Sequence, residues 1–249
     1  MTPRLLYSAD GCEVWHGDCL DPETVGAVMQ GRRAELLHVD APYSARTHDS
    51  QWGSGADVDA MPDPVKAPKP IPYPAWSGAD VDAMCLIWLP HVAGWCTTVT
   101  DHVLAPEWAR AFSATGRYTF APLPWVETGS RIRLAGDGPS LWGYWAVVAR
   151  PRAKPWFKWG TLPGAYVASA ERRPGRIIGG KSLALTLQFL GDYSRRGDLV
   201  LDPCLGGGTT IMAARMSGRR CIGIEKDEGR AELCARLLAK KREQFDLFQ

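Results

Sequence analysis

A chain of 249 residues with 45% apolar residues and a net charge of +2 can bury one substantial core. It has no apolar stretch near the roughly 20 residues that a membrane helix needs. Seven cysteines, odd in number and without a C-x-x-C pair, and five scattered histidines argue against a disulfide framework or a metal site. Reduced thiols in a cytoplasmic, non-membrane protein are the expectation, and the Met1-Thr2-Pro3-Arg4 start has no signal-peptide architecture.

Arg4–Tyr7 and Cys12–His16 read as strands joined at Asp10-Gly11, a strong hairpin turn pair. Asp21-Pro22-Glu23 opens a helix, with Asp as N-cap and Pro as first residue. Residues 36–39 form a short apolar run ending at Asp40, a buried strand by pattern. Residues 49–76 carry six prolines between Pro62 and Pro74, which exclude regular structure and predict a loop insertion. The heptapeptide GADVDAM occurs at 55–61 and 78–84; Ser77 with Asp80 resembles a capping box before the second copy, so only that copy extends into a helix. Trp95–Val99 predicts a strand, Pro106–Ala114 a helix, Arg117–Val126 one strand, and Leu141–Ala149 another. Lys181–Asp192 reads as helix, Asp198–Leu201 as strand, Gly207–Met216 as helix, Cys221–Ile224 as strand, and Asp227–Lys241 as a charged helix. Alternating strands and helices predict an α/β sheet with helices on both faces, with ligands beyond the carboxyl ends of the strands, where Asp40, Asp202 and Glu225 fall.

Charge is segregated. Between Thr128 and Lys181 ten basic residues meet only Asp137 and Glu171, a local +8 in a chain of +2. Arg131, Arg133, Arg150, Arg152, Lys154, Lys158, Arg172 and Arg173 are the expected phosphate contacts of a polyanion partner, and Trp142, Trp145, Trp156 and Trp159 are interleaved with them.

The segment 199–210 runs strand, acid, glycine turn, helix: L-V-L-D-P-C-L-G-G-G-T-T. No Lys-Ser/Thr follows the glycines, so it is no phosphate-binding P-loop. It resembles the D-P-F-x-G-S-G-T-T cofactor motif of the amino-methyltransferases of DNA, with Cys204 for the aromatic residue and Gly207 for serine. Asp40-Ala41-Pro42-Tyr43 resembles their D-P-P-Y catalytic motif, and Gly17-Asp18-Cys19-Leu20 their G-D-x-L. Catalytic motif first, basic segment next and cofactor motif last resembles the β class, phage- or bacterial-type solitary enzymes with a permuted Rossmann-like methyltransferase fold spanning residues 1–249.

That resemblance implies S-adenosyl-L-methionine as cofactor, held by Asp18, Cys19, Lys181, Asp202, Pro203, Cys204, Gly206, Gly208, Thr209 and Glu225. It implies catalysis by Asp40, Ala41, Pro42 and Tyr43 on a flipped base of double-stranded DNA, and target recognition by segment 128–180. The chemistry accounts for the motif. An exocyclic amine is a poor nucleophile because its lone pair is delocalised; two acceptors, the Asp40 carboxylate and the Ala41 carbonyl, localise it, while Tyr43 stacks on the base. Adenine N6 is the favoured target; cytosine N4 or an inactive DNA-binding relative are the alternatives. In segment 243–249, Gln244–Phe248 (Q-F-D-L-F) resembles the short peptide by which bacterial replication proteins bind the sliding clamp. A homodimer is a further expectation.

Overall fold

The computed structural model describes residues 1–51, 73–129, 143–152, 159–169 and 180–246, the side chains of 49–51 and 241–246 excepted. The Pro-rich stretch 52–72, Arg131, Arg133, Lys154, Lys158, Arg172, Arg173 and residues 247–249 lie outside the described residues.

Three strands are buried along their length and correspondingly apolar: β3 (Ala34–Val39), β9 (Leu199–Asp202) and β10 (Arg220–Glu225). They join β1 (Arg4–Ala9), β2 (Cys12–His16), β4 (Val92–Thr100), β6 (Leu123–Thr128), β7 (Gly143–Arg150) and β8 (Tyr166–Ser169) in the order β1-β2-β10-β9-β3-β4-β7-β6-β8, and β5 (Tyr118–Thr119) pairs with β7. The five central strands β2, β10, β9, β3 and β4 are parallel. Strand β7 is antiparallel to β4 and β6. Strand β6 therefore runs in the same direction as the central five, with β8 parallel to it.

Alternate residues of the strands feed two cores. Leu37, Val39, Leu201, Ile222 and Ile224 pack with α1 (Pro22–Met29), α3 (Gly78–Trp88) and α4 (Ala105–Ala114). Leu36, Val14, Val200 and Cys221 pack with α5 (Leu183–Tyr193), α6 (Thr209–Met216) and α7 (Glu228–Asp246). The expected helix–sheet–helix layering is present, and the predicted starts hold: Asp21 accepts from Glu23 N at 3.0 Å, and Asp80 accepts from Ser77 N at 2.8 Å.

Two readings are corrected. The strand expected over 117–126 is broken into β5 and β6, because Pro122 has no N–H for the ladder, and the pairing to β7 slips by one residue there. Helix α2 (Ala45–Gln51) and strand β8 are additions to the expected elements. The first begins two residues after Tyr43, where its short polar sequence has no apolar periodicity. The second lies inside the basic segment, where charge masks the period-2 pattern.

Candidate active site

Because the central strands are parallel, their carboxyl ends share one edge, and each ends in or just before an acid. Across the sheet these are Asp18 after β2, Glu225 on β10, Asp202 on β9, Asp40 after β3 and Asp101 after β4; Glu127, near the end of β6, joins the same edge.

At one end of the row, the glycine turn wraps Glu225. Gly206 N donates to Glu225 Oε2 and Asp227 N to Oε1, both at 2.8 Å, and Gly17 N donates to the Glu225 carbonyl at 3.0 Å. The turn needs its glycines: Gly206 and Gly208 have φ of +52° and +78°, and a Cβ on Gly208 would sit 2.5 Å from Cys234 Sγ. Asp18 caps its own turn through Leu20 N at 3.0 Å and pairs with Lys226 at 2.6 Å. Asp202 is buried (1% exposed) and accepts from Cys204 N at 3.0 Å. Burial pushes its carboxyl up to about 7, against the opposing hydrogen bonds from Thr210 and Cys204. Cys204, which stands where the resemblance has an aromatic residue, lies against Cys19 with the sulfurs 3.7 Å apart. Thr209 opens α6 and Pro203 precedes the turn.

In the middle of the row, Asp40 receives the Tyr43 hydroxyl at 3.3 Å and the Lys181 ammonium at 2.8 Å. Burial raises its carboxyl above the ordinary range, and Lys181 pulls it back. The Tyr43 ring faces Tyr144 of β7 with centroids 5.5 Å apart. Ala41 is buried, with Pro42 between it and Tyr43. Beneath them His38 donates from Nδ1 to Thr97 Oγ1 at 3.0 Å, since that hydroxyl is itself a donor to the Leu37 carbonyl. Burial lowers this imidazole to about 3, so it is a neutral core residue. The turn after Tyr43 is latched by Asp101, which accepts from Ser44 N at 2.9 Å, from the Ser44 and Thr47 hydroxyls, and from Val103 N and Leu104 N.

The structure thus brings Asp18, Cys19, Lys181, Asp202, Cys204, Gly206, Gly208, Thr209 and Glu225 to one edge with Asp40 and Tyr43. It separates two other residues from them. Arg150 ends β7 at the opposite edge, roughly 20 Å along the strand from Tyr144 at about 3.3 Å per residue. There Arg150 and Arg152 lie over the Tyr118 ring at 5.1 and 5.5 Å. They are not neighbours of Asp40 because β7 reverses direction. Three residues of the site do not stand out in the sequence: Tyr144, Glu127 and Asp101. The rule that finds Asp40, an acid after an apolar strand, also fits Asp101 once β4 is followed to Thr100.

Residues 169–236 match the family model described as DNA methylase. The matched stretch runs from the end of β8 through the glycine turn to Glu225 and into α7, so the likeness covers the cofactor half of the site. A curated relative, the Type II methyltransferase M.MthZI of Methanothermobacter thermautotrophicus, is 35% identical over 80 residues, a match spanning 31% of this chain and 22% of that protein. Among solved structures, the M1.HpyAVI–SAM complex aligns with a TM-score of 0.65 at 17% identity over 91% of this chain and 98% of that one. The cytosine-N4-specific PvuII DNA methyltransferase aligns with a TM-score of 0.58 at 12% identity, over 93% of this chain and 88% of that one. A putative DNA modification methylase of Thermus thermophilus complexed with S-adenosyl-L-methionine aligns at 0.55 and 19% identity, over 90% of this chain and 92% of that one. These likenesses give the chain the Rossmann-like fold that those proteins share. Among the described residues no helix is long and apolar enough to cross a membrane.

Proposed function

We propose that this methylase transfers a methyl group from S-adenosyl-L-methionine to the exocyclic amino group of a base in double-stranded DNA, with adenine N6 as the favoured target. The observation that carries the reading is the Asp40–Tyr43 pair on the strand end beside Asp202, with Glu225 one strand further along the same edge.

The cofactor fits this acceptor set. A ligand rich in N–H and O–H donors, with a cationic centre, suits carboxylates buried at adjacent strand ends and a glycine turn without Cβ atoms. Glu225 would hold the ribose hydroxyls, Asp18 the adenine amino group, and Asp202 with the turn of Gly206, Gly208 and Thr209 the amino-acid portion. When bound, the group supplies an electrophilic methyl. The chain's own residues do the rest. Asp40 and the Ala41 carbonyl accept the two N–H groups of the target amine, which localises its lone pair and stabilises the positive charge it develops. Tyr43 and Tyr144 bound the slot in which an unstacked base lies.

Cytosine N4 is the second reading, since both amines need the same two acceptors and a cytosine-N4-specific enzyme shares the fold. We further place phosphate contact with Arg131, Arg133, Lys154, Lys158, Arg172 and Arg173, a sliding-clamp contact with Gln244–Phe248, and the enzyme in the cytoplasm with its DNA. The backbone of the clamp-like segment continues α7 to Asp246. The test is to methylate DNA with labelled cofactor, digest it to nucleosides and identify the product. N6-methyladenine is expected, and N4-methylcytosine would exchange the two readings. Asp40→Ala should abolish transfer while cofactor affinity by calorimetry changes less than about fivefold, because Asp40 addresses the amine; cofactor binding lost with activity would contradict that role.

A further inference from the structure

The carboxylate that should receive the target amine already has an occupant. Lys181, in the turn ahead of α5, lays its ammonium 2.8 Å from Asp40 Oδ1 and 2.9 Å from Oδ2, and its side chain is only 6% exposed. The same ammonium stands 4.9 Å from the Tyr43 ring centre and 4.7 Å from that of Tyr144. An N–H-bearing group on the Asp40 carboxylate, bounded by two aromatic faces, is in the position the reading above gives to the base amine. The resemblance assigns Lys181 to the cofactor; the geometry ties it to the amine site.

A second acid acts on Asp40 from β6. Glu127 is 2% exposed, and its Oε1 accepts from Ser182 N at 3.1 Å and from Trp125 Nε1 at 3.3 Å. It is therefore anchored to the residue next to Lys181, and its charge also acts on Asp40. A buried carboxylate is costly without a cation. With Asp40 on the ammonium and Glu127 on the backbone of the next residue, the lysine can exchange partners without leaving acidic surroundings.

We propose that Lys181 is a positioning residue that neutralises Asp40 and occupies the amine position against Tyr43 and Tyr144 until the target amine displaces it toward Glu127. The inference rests on the amino-methyltransferase reading. Its function is twofold. In the free enzyme it keeps the partly buried Asp40 charged and therefore ready to accept N–H groups. On base entry it yields its place, so the position against the two rings admits a neutral donor. Besides Lys181, the groups acting on Asp40 or acted on by it are the Tyr43 hydroxyl, Glu127 of β6, Asp202 of β9 and Tyr73. The acids among them oppose its ionisation, and Lys181 favours it.

The test measures kcat/KM against pH for wild type, Lys181→Met, Lys181→Arg and Glu127→Gln, with unmethylated plasmid DNA and labelled S-adenosyl-L-methionine. Calorimetric cofactor affinity and thermal unfolding are measured on the same proteins. Activity requires ionised Asp40, so the acid limb reports its titration. Lys181→Met should move that limb up by about one pH unit or more, and Glu127→Gln should move it down, because one loses a cation and the other an anion. Lys181→Arg should keep the limb in place while raising the KM for DNA about fivefold or more, since a permanently charged fork is harder to displace. Cofactor affinity should stay within about threefold throughout. Limbs that coincide in all four folded proteins would overturn the proposal. So would a Lys181→Met variant whose cofactor affinity collapses with its limb unmoved, which would return the lysine to the cofactor. A wild type that binds cofactor but never methylates the plasmid removes the parent reading, and this inference with it.

Discussion

Replacing Asp202 by Asn should stabilise the ligand-free protein while weakening its hold on the cofactor. The carboxyl is 1% exposed, and burial lifts it from the ordinary 3.8 to about 7. A folded-state value raised above the unfolded one means that the native protein binds the proton more tightly. The stability cost is absent below about pH 4, grows as pH rises toward 7, and is constant above it. Three units at about 1.4 kcal/mol each make that cost about 4 kcal/mol at neutral pH and beyond. Asn keeps the oxygen that accepts from Cys204 N and never ionises. Urea unfolding of both proteins should show the advantage of Asp202→Asn growing by about 3 kcal/mol between about pH 5 and about pH 8. Over the same range wild-type cofactor affinity should rise with pH, while that of the variant stays low and flat. A stability difference that is constant with pH would refute the assignment of a costly buried carboxylate, whatever the affinities did.

Glu225→Gln exchanges one acceptor oxygen for a donor that faces Gly206 N or Asp227 N, so it should weaken cofactor binding by about tenfold or more in calorimetry; unchanged affinity would remove Glu225 from the binding site. Charge reversal of Arg172 with Arg173 should reduce the slope of log affinity for DNA against log salt by about two, whereas reversal of Arg150 with Arg152 should leave it unchanged. Equal effects of the two pairs would show that the pole opposite Asp40 also touches DNA. In a polarisation assay with a bacterial sliding clamp, the wild-type chain should bind and Leu247→Ala with Phe248→Ala should not; binding that survives the double substitution would remove that partner.

The elements that sequence reveals best here are those whose signal is local. Asp202 is legible because a four-residue buried strand, an acid and a glycine turn are contiguous, and each has its own backbone reason to be there. The helix starts at Asp21 and Ser77 are legible for the same reason, since an N-cap is chemistry within four residues. What sequence does not reveal is what the strand order determines. Tyr144 stands across from Tyr43 only because β7 lies next to β4, although a long stretch of chain separates the two strands. Glu127 reaches the site only because β6 regains the direction of the central strands after the reversal at β7. Lys181 and Asp40 are each legible as site residues, but their pairing across 141 positions is not.

Strand direction also accounts for the segregated charge. An edge built from Asp18, Glu225, Asp202, Asp40, Asp101 and Glu127 suits amines and a cationic cofactor and repels phosphate. A polyanion can be brought to such an edge only if positive charge is supplied beside it. The chain does this at its connections: it leaves β6 at Thr128 and re-enters β7 at Gly143, and it leaves β8 at Ser169 and re-enters α5 at Leu183. Strands β6 and β8 end, and β7 begins, at the acidic edge, so Arg131, Arg133, Arg172 and Arg173 belong to segments tethered there. Lys154 and Lys158 instead follow Arg150, at the far end of β7. Phosphates held from the connections after Thr128 and Ser169 would lie on the side of the sheet where Asp40 stands, so that a single base could cross from them to the carboxylate.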